Sequence, residues 1–154
     1  MDKYYLYGTD RFFTDGSSKE TFSMMTVAGD KLYISGQSGF DLEGNFHGEG
    51  DPAAQADQAC KNILRLLEEN GLPKTSLCRM RVCVADREYR RAVYSAIGEN
   101  FGDVSVCSTG LTVKALPLPK MHVKKELKFD LDTLDEQMEF DYEISPEKDD
   151  FDLT

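Results

Sequence analysis

Apolar residues recur along this chain with two different periods. From Asp51 onward, Ala56, Ala59, Ile63, Leu66 and Leu67 fall at three- and four-residue steps, the spacing of one helical face, until Asn70-Gly71 interrupts them. Asp51 suits an N-cap and Pro52 a first turn, so the pattern predicts a helix over 52–70. A second stripe, Tyr89, Val93, Ala96 and Ile97, predicts a helix over about 87–100. Between the two, Cys78–Ala85 alternates. Met80, Val82 and Val84 share one side while Arg79, Arg81 and Cys83 share the other, which is the pattern of a half-buried strand.

Extended runs flank this helical centre. Phe22–Ala28 and Lys31–Ser35 are joined by Gly29-Asp30 and predict a hairpin. The segment from Gly36 to Gly50 carries five glycines, too many for a helix interior, and predicts a loop of the length that often carries function. Val104–Leu116 is rich in branched residues and stops at Pro117-Leu118-Pro119, predicting a strand closed by a turn. Met121–Phe129 predicts a last strand, with Val123, Lys125, Leu127 and Phe129 on one side. The order strand, strand, helix, strand, helix, strand, strand implies an α+β domain, its two helices packed on one face of a mixed sheet.

Size and charge refine this reading. A chain of 154 residues that is 40% hydrophobic fills one core. The formal net charge of −10 opposes general attraction to nucleic acid or an anionic membrane. That charge is unevenly placed: residues 130–154 hold eleven acids and one base, Lys148, so residues 1–129 are formally neutral. The expected organisation is therefore a domain over 1–129 and an acidic extension over 130–154. The extension interleaves its acids with Leu131, Leu134, Met138, Phe140, Tyr142 and Ile144, more large apolar residues than a purely solvating tail carries, and reads as able to dock. No run approaches the roughly 18 apolar residues of a spanning helix, and the start lacks a signal-peptide pattern, so a cytoplasmic protein is expected. Cys60, Cys78, Cys83 and Cys107 show no metal-ligand spacing and read as reduced thiols.

Three stretches together resemble the Rid family, also called YjgF/YER057c/UK114. They are Leu32-Tyr33-Ile34-Ser35-Gly36-Gln37, a hydrophobic strand ending in Ser-Gly-Gln; Ala54-Gln55 followed by Asn62 and Asn70-Gly71-Leu72; and Met80-Arg81-Val82-Cys83-Val84-Ala85-Asp86. The resemblance spans about Phe22 to Phe129. It implies a chorismate-mutase-like α+β fold, a homotrimer whose sheets form a central barrel, and ligand clefts between subunits. It also implies a deaminase of the 2-iminobutanoate/2-iminopropanoate type, a hydrolase that converts reactive enamines and imines to keto acids and ammonia without a cofactor or metal. Some relatives were named as endoribonucleases.

In that family an arginine binds the substrate carboxylate, as a guanidinium fork suits, and a glutamate positions water. Where the family reads Pro-Ala-Arg-Ser-Thr, this chain reads Ser105-Val106-Cys107-Ser108-Thr109. Counting back from Leu116-Pro117 puts Ser108 at the arginine position, and a one-residue slip puts Cys107 there. Glu126 is the acid that matches the water-positioning glutamate. The cleft implied by the resemblance is lined by Phe22, Ser35, Gly36, Gln37, Cys107 and Ser108, with Glu126 as the catalytic group and a small molecule as ligand. The other reading is a ligand-binding or protein-interaction member without turnover, whose working part is the acidic extension.

Some residues carry two readings. Ser35-Gly36-Gln37 lines a cleft or only makes a turn. Cys107 is a reactive thiol or a packed one. His47 and His122 lack neighbouring ligands at a recognisable spacing, so no metal is expected. Arg79, Arg81, Arg87, Arg90 and Arg91 place five of the seven arginines within thirteen residues, as a solvated face, an anionic-ligand or RNA site, or a complement to the acidic extension.

Overall fold

The structure, a computed structural model, describes the backbone of residues 3–8 and 23–130 and the side chains of residues 24–124. Six strands form one mixed sheet: β1 Lys3–Gly8, β2 Ser23–Ala28, β3 Lys31–Gln37, β4 Leu77–Val84, β5 Cys107–Thr112 and β6 Val123–Asp130. Two helices, α1 Pro52–Glu69 and α2 Arg90–Phe101, pack side by side against it. The strand order is β1-β2-β3-β6-β4-β5. β1, β2 and β3 form an antiparallel meander, and β6 runs antiparallel between β3 and β4, so β3 and β4 are mutually parallel. β5 lies parallel to β4 at the edge. The chain thus makes two consecutive strand–helix–strand crossovers, through α1 and then α2, and β6 fills the gap that the first leaves open.

The expected elements form for the reasons their residues supply. The Asp51 side chain accepts from the Ala54 N–H at 3.1 Å, capping α1 one residue ahead of Pro52. At the other end the Leu72 N–H donates to the Leu67 carbonyl at 2.9 Å, closing the helix over Asn70-Gly71. All five residues of the predicted α1 stripe are buried, as are Val93, Ala96 and Ile97 of α2. All of these except Ala59 meet Met80, Val82 and Val84 of β4 and Leu32 and Ile34 of β3 in one core. Gly29, at φ +63°, supplies the left-handed residue that the tight β2–β3 turn requires.

Four boundaries differ from the sequence reading. β1 was not expected, because Lys3–Gly8 contains four consecutive Tyr and Leu residues with neither alternation nor a flanking turn signal. β3 runs through Gly36 and Gln37, carried past the expected end by pairing with β6 across an irregularity between Ile34 and Gln37. β5 is shorter than Val104–Leu116: its ladder starts at Cys107 opposite Arg79, and Val104 and Val106 instead pack on the core ahead of it. The predicted second helix opens as a separate 3-10 turn, Arg87–Tyr89, capped by the Asp86 side chain. None of the four cysteines forms a disulfide. No helix of the described residues is long and apolar enough to cross a membrane.

Candidate functional site

Two buried amides of α1 organise the loops at one end of the sheet. Gln55 is fully buried. Its Nε2 donates to the carbonyls of Gly48 at 2.8 Å and Lys120 at 3.0 Å, and its Oε1 accepts from the His122 N–H at 2.7 Å. One side chain therefore ties the glycine-rich loop to the segment entering β6. Asn62, one face further along α1, donates through Nδ2 to the Phe40 carbonyl at 2.6 Å and to Gln37 Oε1 at 3.2 Å, while Gln58 Nε2 donates to its Oδ1 at 2.8 Å. Gln37 Nε2 in turn donates to the Ser35 carbonyl at 2.9 Å. The Gln and Asn of the helix pattern are thus staples that hold Ser35-Gly36-Gln37 and its following loop in place.

The loop itself is folded. Phe40 and Phe46 form an isolated antiparallel bridge with their rings 4.9 Å apart edge to face, and Lys120 Nζ sits 4.5 Å and 5.0 Å from the two ring centres. At its tip Asp41 accepts from the backbone N–H groups of Glu43 at 3.0 Å and Asn45 at 2.9 Å, and its Oδ2 lies 2.7 Å from His47 Nε2. Burial pushes the Asp41 carboxyl up, but the contacts to His47, Asn45 and Glu43 outweigh it and lower it to about 2. His47 thus serves the loop. Among the described residues there is no group of three or more His, Cys, Asp or Glu side chains able to hold a metal.

The sheet has a second face, away from the helices. Residues alternating with the core face it: Tyr33 and Ser35 of β3, Arg79, Arg81 and Cys83 of β4, Cys107, Thr109 and Leu111 of β5, and Lys124 of β6. Tyr33 and Leu111 are 43% and 39% exposed. The Lys124 side chain crosses Gly36 and would have to swing aside for a Cβ there. Glu126 pairs with Arg81 in the β4–β6 ladder, which assigns its position to the same face. On β5 the two registers left open by the sequence point to opposite sides. Ser108 pairs with Met80, on the helix-covered face, and its buried Oγ has no hydrogen-bond partner among the described residues, whereas Cys107 pairs with Arg79 on the open face. Phe22 lies outside the described residues.

The five arginines do not form one patch. Arg79 and Arg81 stand on the open face of β4, while Arg87, Arg90 and Arg91 belong to the turn and helix beyond it. Sequence reasoning passed over Gly110 and Tyr94, which meet Arg90 at β5, although a lone glycine in a strand pattern is a signal of close approach. A separate cleft of about 310 Å³ opens beyond the C-terminal ends of β4 and β5, lined by Asp86, Tyr89, Lys114, Leu116, Met121 and His122 among others. The Tyr89 and His122 rings meet there edge to face at 4.9 Å. None of Ser35, Gly36, Gln37, Cys107 or Ser108 lines it.

A family model described as endoribonuclease L-PSP matches residues 16–128. The chain belongs to that family, the Rid or YjgF/YER057c/UK114 family. An uncharacterized protein from Streptomyces coelicolor is 33% identical over 93 residues, covering 60% of this chain and 69% of its own. Among solved structures, the Rid protein YyfA of Yersinia pestis superposes with a TM-score of 0.71 at 21% identity, covering 84% of this chain and 99% of that one. Rv2704 of Mycobacterium tuberculosis, a member of the YjgF/YER057c/UK114 family, gives 0.66 at 23% identity over 84% and 99% of the two chains. These likenesses establish the Rid fold, with its mixed sheet and two helices. The acidic extension begins just past the matched residues.

Proposed function

We propose that this Rid protein is a cytoplasmic hydrolase of small-metabolite imines or enamines, working in clefts between the subunits of a homotrimer. The observation that carries the reading is the junction of β3 and β6. There Ser35-Gly36-Gln37 ends β3 at an irregular pairing, buried Gln37 is anchored to Asn62, and the backbone of Glu126 pairs with Arg81 in the adjacent β4–β6 ladder. The exposed Tyr33 and Leu111 on the open face support its use as a subunit surface. In this reading Ser35 and Gly36 line one wall with Gln37 anchored behind them, Cys107 contributes from β5, and Ser108, turned toward the helices, stays outside the cleft.

The chemistry is an addition followed by an elimination. Glu126 orients a water and takes its proton as the oxygen bonds to the imine carbon; the nitrogen is protonated, the C–N bond breaks, and ammonia leaves behind a carbonyl. A serine or cysteine, Ser108 or Cys107, where the family has its arginine favours the second reading, a ligand-binding or interaction member in which the acidic extension is the working part. One assay separates them. Freshly generated 2-iminopropanoate is trapped by semicarbazide, and an active protein suppresses the semicarbazone signal. Glu126→Gln is expected to abolish that suppression. Turnover equal to buffer with the oligomer intact would overturn the hydrolase reading and leave the binding one.

A further inference from the structure

The cleft of about 310 Å³ beyond the C-terminal ends of β4 and β5 shares no lining residue with the β3–β6 junction. Its walls are fixed by backbone hydrogen bonds. The Ala85 N–H donates to the His122 carbonyl at 2.9 Å, joining the end of β4 to the start of β6, and the Val113 N–H donates to the Val84 carbonyl at 2.9 Å, holding the exit of β5 against β4. The Met121 N–H closes a turn onto the Leu118 carbonyl at 3.0 Å, and buried Gln55 grips the backbone of Lys120 and His122 on either side of Met121. A cleft built this way is preorganised, and its size is at the lower end for small-molecule sites. Its lining divides by chemistry. Leu116, Leu118, Pro119 and Met121 form an apolar wall, and the Tyr89 and His122 rings, edge to face at 4.9 Å, form an aromatic one. Asp86 and Lys114, of opposite charge, complete it. One Asp86 oxygen accepts from the Glu88 N–H at 2.9 Å, which leaves the other open, and Lys114 makes no ion pair or hydrogen bond among the described residues. The two charges therefore line one cleft without neutralising each other.

We propose that this cleft binds a free α-amino acid with an apolar side chain, its carboxylate on Lys114, its ammonium on Asp86 and its side chain against Met121, Leu116 and the Tyr89–His122 pair. A separated cation and anion above an apolar wall are the complement of a zwitterion that carries an apolar group. An ion of one sign would leave the opposite charge of the cleft unanswered, and a polar side chain would give up its water to Leu116, Leu118 and Met121 without a hydrogen bond in return. The site is separate from the one proposed for imine hydrolysis and stands without it.

L-phenylalanine is titrated into the full chain by calorimetry, beside 3-phenylpropanoate, which lacks the ammonium, and 2-phenylethylamine, which lacks the carboxylate. The amino acid is expected to bind saturably and each analogue at least about fivefold more weakly. Asp86→Asn keeps a capping oxygen while removing the charge, and Lys114→Gln alters an exposed side chain, so both variants should melt as the wild type does. Asp86→Asn should weaken L-phenylalanine at least about fivefold and leave 3-phenylpropanoate unchanged, whereas Lys114→Gln should weaken the amino acid as much and leave 2-phenylethylamine unchanged. Absence of L-phenylalanine binding by the wild type, an analogue that binds as tightly as the amino acid, or wild-type affinity for L-phenylalanine in either folded variant overturns the proposal. The analogue comparison uses the wild-type chain alone, so it decides the matter even where a variant fails to fold.

Discussion

Single side chains of this protein hold more than one loop each, and Gln55 is the clearest case. Its three hydrogen bonds reach the glycine-rich loop and the approach to β6, so replacing it strands three backbone groups at once. Gln55→Ala is expected to cost about 3 kcal/mol, lowering the thermal midpoint by roughly 10 °C, and denaturant unfolding of the variant checks it. Asp41 gives a prediction in pH. Its carboxyl is held at about 2 in the fold against an ordinary 3.8, so its contribution is full above pH 4 and disappears as the pH falls from there to 2. Asp41→Asn should therefore melt below wild type at pH 6 and coincide with it near pH 2, as scanning calorimetry across that range would read. A gap that persisted at pH 2 would assign the effect to geometry and not to ionisation.

At the scale of elements, α1 is both the core's main wall and the anchor of the site. Its apolar stripe buries Ile63 and Leu66 fully, while Gln55 and Asn62 emerge from the same buried surface toward the loops. Ile63→Ala is expected to cost about 3–4 kcal/mol through lost contact and a residual cavity, and Asp51→Ala about 1 kcal/mol through loss of the cap, both measurable by urea unfolding. The stripe, the cap and the stop were all legible in the sequence, because helix periodicity and capping are local properties. The role of Gln55 and Asn62 was not: their partners Lys120, His122 and Gln37 are distant in the chain, and only packing brings them within hydrogen-bond reach. β1 and the true start of β5 were also hidden, since a strand's limits are set by its neighbour in the sheet.

For the whole molecule, the open face of the sheet is the surface on which the proposed assembly rests. It joins the exposed Tyr33 and Leu111 to Arg79, Arg81 and Lys124, a surface both basic and partly apolar. Light scattering is expected to give a mass near three times 17.4 kDa, and Tyr33→Asp to shift it downward; a wild-type mass of one chain would remove the subunit cleft from the proposed function. The acidic extension lies outside the described residues, apart from Asp130 at the end of β6. Its alternation of acids with large apolar residues matches a basic, partly apolar surface. Deleting residues 131–154 is expected to lower the melting temperature at low salt, with the difference shrinking as salt screens the attraction. Equal melting at both ionic strengths would show that the extension leaves the body's stability alone.

The sequence by itself determined the class of the fold, the stripes of both helices and the cap of the first, the alternation of β4, and the family motifs, because each is written in residues that lie near one another along the chain. It also located the whole net charge in the last segment. The tertiary structure alone decided which motif residues are staples. It also split five neighbouring arginines between two sides of the sheet, turned Ser108 toward the helices and Cys107 away from them, and laid Arg90 and Tyr94 on Gly110. Strand register reverses a side chain's face with every residue, and helix-to-sheet packing joins residues that no local period relates; neither is fixed until the core closes.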